Sequence, residues 1–398
     1  MGPALHRARW RVLALYGAWN ALMQFEWLRF APITDNVAAQ YHMSTGEVGQ
    51  LSLVFPLLFL PLALPLGWLI DKRSARFCLW LTALVMTLGV GARVVAPTYA
   101  ALLAGQTILA IAQPLVMALI SKLVGVWFGE SERLQATGLG TLSIFVGLGL
   151  AFLLVPPSAP YPLSSTLWID VVALGLLLVA TLLLVPADPP APATDDAFER
   201  VAPRGWFAGV GSLLKSRRFI AILLLVFFAN GYSNALFTWL EPLLLPQGIN
   251  AAQAGIAGLM ILIGGIIGMS LLPRMPMIER RLRPMMLLAC TVGIPMTVSL
   301  LSSPLFGIVL ATSFLIGLFL LSPLPVFVDV VARIGGAGLA GTAVSAFWLV
   351  GNGGAAAAIA AMSWLADHQR WSIAIWMLPG LLLVNGLIAA TLLPRPRQ

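Results

Sequence analysis

Residues Trp19-Asn20-Ala21-Leu22-Met23-Gln24-Phe25-Glu26-Trp27-Leu28-Arg29-Phe30-Ala31-Pro32 occupy the outer half of the first long apolar stretch of the chain. A helix that only anchored a protein in lipid would carry Leu, Val and Ala there. This one carries Asn20, Gln24, Glu26, Trp27 and Arg29. Polar and ionised groups are costly in hydrocarbon, so they face a bundle interior or a wet cavity and are read first as functional. The stretch predicts a membrane helix that forms one wall of a solute path.

The rest of the chain has the same solvent in mind. It holds 398 residues, 60% hydrophobic and 10% charged, with a mean hydropathy of +0.94. A soluble domain carries about 25% charged residues. Apolar runs near the ~20 residues of a spanning helix recur along the whole length. Spans are expected at 10–33, 48–70, 77–96, 100–127, 134–155, 163–185, 217–244, 254–272, 284–302, 305–330, 338–362 and 371–393. The expectation is an all-α integral membrane protein of twelve transmembrane helices in two six-helix bundles. Residues 1–185 form the N-terminal bundle, 186–216 a cytoplasmic linker and 217–398 the C-terminal bundle.

Charge sets the orientation. Of the 23 Lys and Arg residues, all but Arg29, Arg93 and Arg370 fall in the termini or at alternate loops. This positive-inside bias places both termini in the cytoplasm of a multi-pass plasma (inner) membrane protein. It also accounts for the net charge of +8 without nucleic acid as a partner. His6, Arg7, Arg9 and Arg11 precede an apolar run too long for a cleaved leader. Cys78 and Cys290 lie at the starts of spans and have no Cys/His partner at ligand spacing, so neither a disulfide nor a metal site is expected. The linker opens Pro186-Ala-Asp-Pro-Pro-Ala-Pro-Ala-Thr-Asp-Asp196 and ends on Lys215, Arg217 and Arg218, with a short surface helix expected around 206–214.

The halves repeat. Span four runs from Pro114 to Lys122 and span ten from Pro325 to Arg333, the same offset, and a Gly/Ala-rich span follows each. A site near mid-membrane between two such repeats is the plan of a secondary transporter.

The loop Gly67-Trp68-Leu69-Ile70-Asp71-Lys72-Arg73-Ser74-Ala75-Arg76 resembles the Gly-x-Leu-x-Asp-Arg-x-Gly-Arg-Arg motif of the major facilitator superfamily. In that reading Gly67 permits close helix approach, Asp71 faces the positive N-terminus of another helix, and Lys72 and Arg76 pair with carboxylates to hold the inner side shut. Ser74 and Ala75 depart from the motif, and the equivalent loop of the second half, Pro273 to Arg283, is more degenerate.

Three stretches carry a narrower likeness: Asn20 to Trp27, Ala112-Gln113-Pro114 through Lys122 to Trp127-Phe128-Gly129, and Ala235 to Leu240. They resemble the feline leukaemia virus subgroup C receptor family, a branch associated with choline, ethanolamine and haem-related transport. The resemblance implies the major facilitator fold, and cavity-lining roles for Trp27 and Gln113. A cavity tyrosine of that family falls on Asn234 here, and a cavity glutamine falls near Trp348. An aromatic cage would therefore be rebuilt in this chain.

From the residues themselves, Trp27 is either cavity-lining or an interfacial belt tryptophan. Gln113 is either cavity-lining or a helix-to-helix hydrogen bonder. Asn20, Gln24, Asn230, Asn234 and Trp348 complete the expected binding set. An indole face attracts an organic cation by ~0.5–2 kcal/mol. Glu26 and Arg29, three apart, are expected to pair with each other. Glu26 and Glu241 are candidates for a titrating carboxylate, and Arg93 requires a partner, Glu26 among the choices. Lys122, Asp329 and Arg333 are read as inner-gate charges. No catalytic constellation and no phosphate-binding loop is present, so neither an enzyme nor a self-contained ATP pump is expected. A sensor without flux would be expected to carry a soluble domain. The expected activity is secondary transport of a small organic solute, an organic cation or amine first, by alternating access. The alternative is an organic anion or haem-like compound held by Arg29 or Arg93. The partners are that solute, the bilayer and, where transport is coupled, a proton or cation; no cofactor is implied, and the expected state is a monomer.

Overall fold

A computed structural model describes residues 3–188, 209, 211–271 and 282–393, apart from the side chains at 3–7, 130, 131, 134, 337 and 338. Most of the linker and most of the 273–283 loop lie outside the described residues; of the surface helix expected around 206–214, residues 209 and 211–213 are described and are helical. The chain folds as α1 (Pro3–Trp27), α2 (Thr45–Lys72), α3 (Ala75–Val94), α4 (Tyr99–Trp127), α5 (Glu130–Leu154) and α6 (Leu163–Leu184), then α7 (Arg217–Leu244), α8 (Ala251–Leu271) and α9 (Leu282–Ser302). It continues through α10 (Phe306–Gly336), α11 (Leu339–Asp367) and α12 (Trp371–Leu392). Eleven of these are long and apolar enough to cross a membrane. The twelfth, α1, has 25 residues but carries the polar groups of the opening stretch.

Local chemistry explains the ends. Ser44 and Glu47 form a reciprocal capping box that starts α2, and Thr98 caps α4. A left-handed break at Gly336, φ 62°, separates α10 from α11; a side chain there would be strained. The first span was expected to run to residue 33, but α1 stops at Trp27. The chain turns, passes through Ala31–Ile33 and lays a short helix, Thr34–Tyr41, on the far side from the termini. Pro32 has no N–H for the Leu28 carbonyl and its ring would meet that carbonyl, so α1 could not run on through it unbroken.

In the first half α1 packs on α5, and α4 packs on α2 and α3. In the second half α7 packs on α11 and α12, and α8 on α10. The halves meet along antiparallel α2 and α11 and along α5 and α8. The α2–α11 seam runs from Ser44 beside Asp367 at its far end to Leu60 beside Gly353. Inward of that point a Cβ on Gly67 would meet nothing within 4 Å. The close helix approach expected at Gly67 is therefore not made in this structure.

Candidate functional site

The polar residues of α1 do turn inward, but most are held by the helices of their own half. Tyr16 donates to the Val116 carbonyl of α4 at 3.1 Å, and Trp19 Nε1 donates to Thr181 of α6 at 2.8 Å. Asn20 Nδ2 donates to the Gly140 carbonyl at 3.1 Å and to Ser143 at 2.9 Å, both on α5. Trp27 is 6% exposed and its Nε1 donates to the Ser52 carbonyl of α2 at 3.1 Å. A belt tryptophan would face lipid; this one is buried against protein.

The charges pair differently from the expected Glu26–Arg29 couple. Glu26 binds Arg93 of α3, and neither side chain is exposed. Arg93 Nη1 also donates to Gln106 Oε1 of α4 at 2.9 Å, while Gln106 Nε2 donates to the Glu26 carbonyl at 3.3 Å. Gly105 makes room for this group, since a Cβ there would lie 2.8 Å from Arg93 Cγ. Arg29 lies beyond the end of α1, where the turn carries it to Asp170 of α6, Nε to Oδ2 2.7 Å. The expected pair fails because helix spacing governs only residues inside one helix, and Arg29 has left it.

Two buried glutamines of the first half remain uncommitted. Gln24 is 4% exposed and Gln113 6% exposed, and neither side chain makes a hydrogen bond among the described residues. An unpaired buried amide costs free energy unless something supplies a partner. Tyr16 bonds to Val116 and Gln106 to Glu26, tying α1 to α4 twice, and both glutamines lie between these two ties in the first half. From the second half, Asn230 and Asn234 of α7 are half-buried, with Asn234 Nδ2 donating to the Asn230 carbonyl at 2.9 Å and to its Oδ1 at 3.1 Å. Asn230 also lies against Gly351 of α11. Trp348 packs edge-on to Phe347 within the second half's core, and its carbonyl accepts from Asn352 at 2.9 Å.

Glu241 sits at the far end of α7, buried against the backbone of Thr34 with Asp35 nearby, and its Oε2 has no partner among the described residues.

The α2–α3 loop engages its own half. Lys122 Nζ binds the carbonyls of Ile70, Asp71 and Arg73, closing the C-terminus of α2. The carboxylate at the N-terminus of α3 belongs to Asp188, which accepts from the backbone N–H of Ala75 at 2.6 Å and Arg76 at 3.0 Å. Asp71, expected at a helix N-terminus, is exposed, as is Lys72. Arg76 stacks over Trp80 at 4.2 Å. Asp329 and Arg333 form their i, i+4 pair at 2.9 Å on an exposed face. The repeat-related positions Lys122 and Arg333 thus make different bonds.

Sequence reasoning missed four partners. Asp170 and Gln106 had a signal, being polar inside spans. Glu132, which holds Arg9 at 2.6 and 2.7 Å, and Asp188 look like ordinary loop acids in the sequence.

The profile of the Major Facilitator Superfamily matches residues 14–359. Solute carrier family 49 member A3 of Danio rerio is 32% identical over 281 residues, covering 67% of this chain and 59% of the relative. The solute carrier family 49 member 4 homolog of Xenopus laevis is 28% identical over 361 residues, 82% of this chain and 78% of the relative. The human choline/ethanolamine transporter FLVCR2 is 24% identical over 279 residues, 66% of this chain and 53% of the relative. The chain spans less than two thirds of the member A3 relatives, 57% in Xenopus tropicalis and 59% in Danio rerio. Among solved structures, a bacterial homolog of the human lysosomal transporter Spinster, inward-facing and unoccupied, superposes with a TM-score of 0.74 at 15% identity over 98% of both chains. The nucleoside transporter NupG superposes at 0.74 with 12% identity, over 96% of this chain and all of that one.

Proposed function

The chain belongs to the Major Facilitator Superfamily, and we infer that it carries a small organic cation or amine across the plasma membrane by alternating access of its two halves. One observation supports this reading above the others. The intramembrane charges of the first half neutralise one another, Glu26 with Arg93 and Arg29 with Asp170. Gln113 keeps a buried Oε1 without a partner among the described residues, and Gln24 is buried on α1 close to Glu26 in sequence. What the interior offers a solute is therefore neutral hydrogen-bonding groups beside the Trp27 indole, a lining suited to an ammonium or amine. The likeness to a relative named as a choline/ethanolamine transporter agrees with that chemistry. Both cationic side chains that an organic anion would need already hold carboxylates, so the anion alternative loses its anchors.

In this proposal residues 1–185 and 217–398 rock about a site lined by Trp27, Gln24 and Gln113 from one half and by Asn230 and Asn234 from the other, with Trp348 near its edge. Both termini lie in the cytoplasm. Glu241, buried with one free oxygen at the far end, is the residue proposed to carry a coupling proton. The test is uptake and efflux in vesicles of radiolabelled amines, carboxylates and haem, with and without a pH gradient. Saturable amine flux that weakens on Trp27→Ala and Gln113→Ala supports the proposal. Unchanged substrate affinity in both variants removes these residues from the site.

A further inference from the structure

The far ends of α2 and α11 meet through a contact that no transport role yet covers. Ser44, the N-cap of α2, accepts from the Glu47 N–H at 3.1 Å and donates its own hydroxyl proton to Asp367 Oδ1 at 2.5 Å. Asp367 is the last residue of α11, so the bond joins the two halves. The carboxylate lies directly over the first turn of α2: a Cβ on Gly46 would fall 2.0 Å from Asp367 Oδ1 and 2.4 Å from the Ser363 carbonyl. One turn on, a Cβ on Gly49 would fall 2.4 Å from the Trp239 ring and 2.8 Å from Ser363 Oγ. The first turn of a 28-residue helix presents unpaired N–H groups and a partial positive charge, which favour a carboxylate there. Glu47 turns back to the Ser44 N–H at 2.8 Å, so a second carboxylate borders the same residue and opposes Asp367. The two terms act against each other, as suits a contact that must release. At the opposite end of the same helix pair, Asp71 is exposed and Gly67 is unopposed.

We propose that Asp367 on the N-terminus of α2, seated by Ser44 and admitted by Gly46, is the far-side latch of the transport cycle. It is engaged when the halves close on the far side, and it must part for that side to open. The proposal rests on the alternating-access reading for its role in a cycle, though the contact itself does not.

The test is a distance measurement in the full-length chain. Spin labels are placed at the exposed far-side positions Gln40 and Ala252, one on each half, in a background with Cys78 and Cys290 replaced by Ala. Gly46→Val, whose side chain has no room in the closed seam, is expected to move most of the population to a longer distance. Asp367→Asn keeps the packing and weakens only the charge, and is expected to raise the longer-distance population about two- to fivefold. Because Asp367→Asn changes no volume, it also guards against misfolding of the glycine variant. An Asp367→Asn distribution identical to that of the unsubstituted chain overturns the proposal. Vesicle flux separates this result from the transport reading. Flux with an unmoved Asp367→Asn distribution removes the latch alone, whereas a moved distribution without flux of any solute keeps the latch and removes the carrier role.

Discussion

The Arg93 guanidinium meets the Glu26 carboxylate where neither side chain is exposed, and Gln106 closes the group from α4. Three helices are joined at one point. Two bare charges there would be prohibitive in hydrocarbon, so each is tolerable only because the other is present.

Removing one partner should therefore cost more than removing both. Glu26→Gln or Arg93→Met is expected to lose about 3–5 kcal/mol of stability, since an uncompensated charge stays buried. The double variant Glu26→Leu with Arg93→Met should recover much of that loss. Thermal unfolding of the purified protein, followed by tryptophan fluorescence, checks the order.

Arg29 and Asp170 lead to a second expectation, on affinity. Because the pair is internal, Arg29→Gln and Asp170→Asn should each lower the melting temperature while leaving the KM for amines within about twofold of the parent. A large KM change on Arg29→Gln alone would bring the anion reading back.

The uncommitted glutamines should behave in the opposite way. Gln113→Ala removes a carbonyl that has no donor, so the melting temperature should hold or rise. Its KM for a transported amine should rise about tenfold if the amide serves the solute. Asn20→Ala is the control: its amide is bound to α5, so stability should fall by about 1 kcal/mol with KM unchanged.

Asp188 holds the start of α3 from the mouth of the linker. Asp188→Ala is expected to cost about 1 kcal/mol locally, seen as faster amide exchange at Ala75 and Arg76. Equal exchange in parent and variant would show that the cap does not hold the helix end.

The helix count and the fold class were legible because each follows from composition in windows of about twenty residues, and the superfamily likeness because the Gly67–Arg76 loop motif that carries it is local in sequence. Arg93's need for a partner could be read as well, with Glu26 among the choices. The opening stretch was right in direction and incomplete in cause. Its polar groups face inward, yet Asn20, Glu26 and Arg29 are each bound to a helix of the same half, and only Gln24 stays open. The loop motif was also recognisable, but not its present partners, since Lys122 comes from α4 and Asp188 from the start of the linker, both distant in sequence.

By itself the sequence determined that this chain is an all-helical membrane protein, because lipid requires every backbone polar group to be satisfied and keeps charge out of its core. Which acid met which base was decided only by the tertiary structure. Glu26 and Arg93 stand 67 residues apart and Arg29 and Asp170 stand 141 apart, so their meeting depends on how each helix is rotated against its neighbours. Rotation is set by packing over the whole bundle, and no local pattern of residues encodes it.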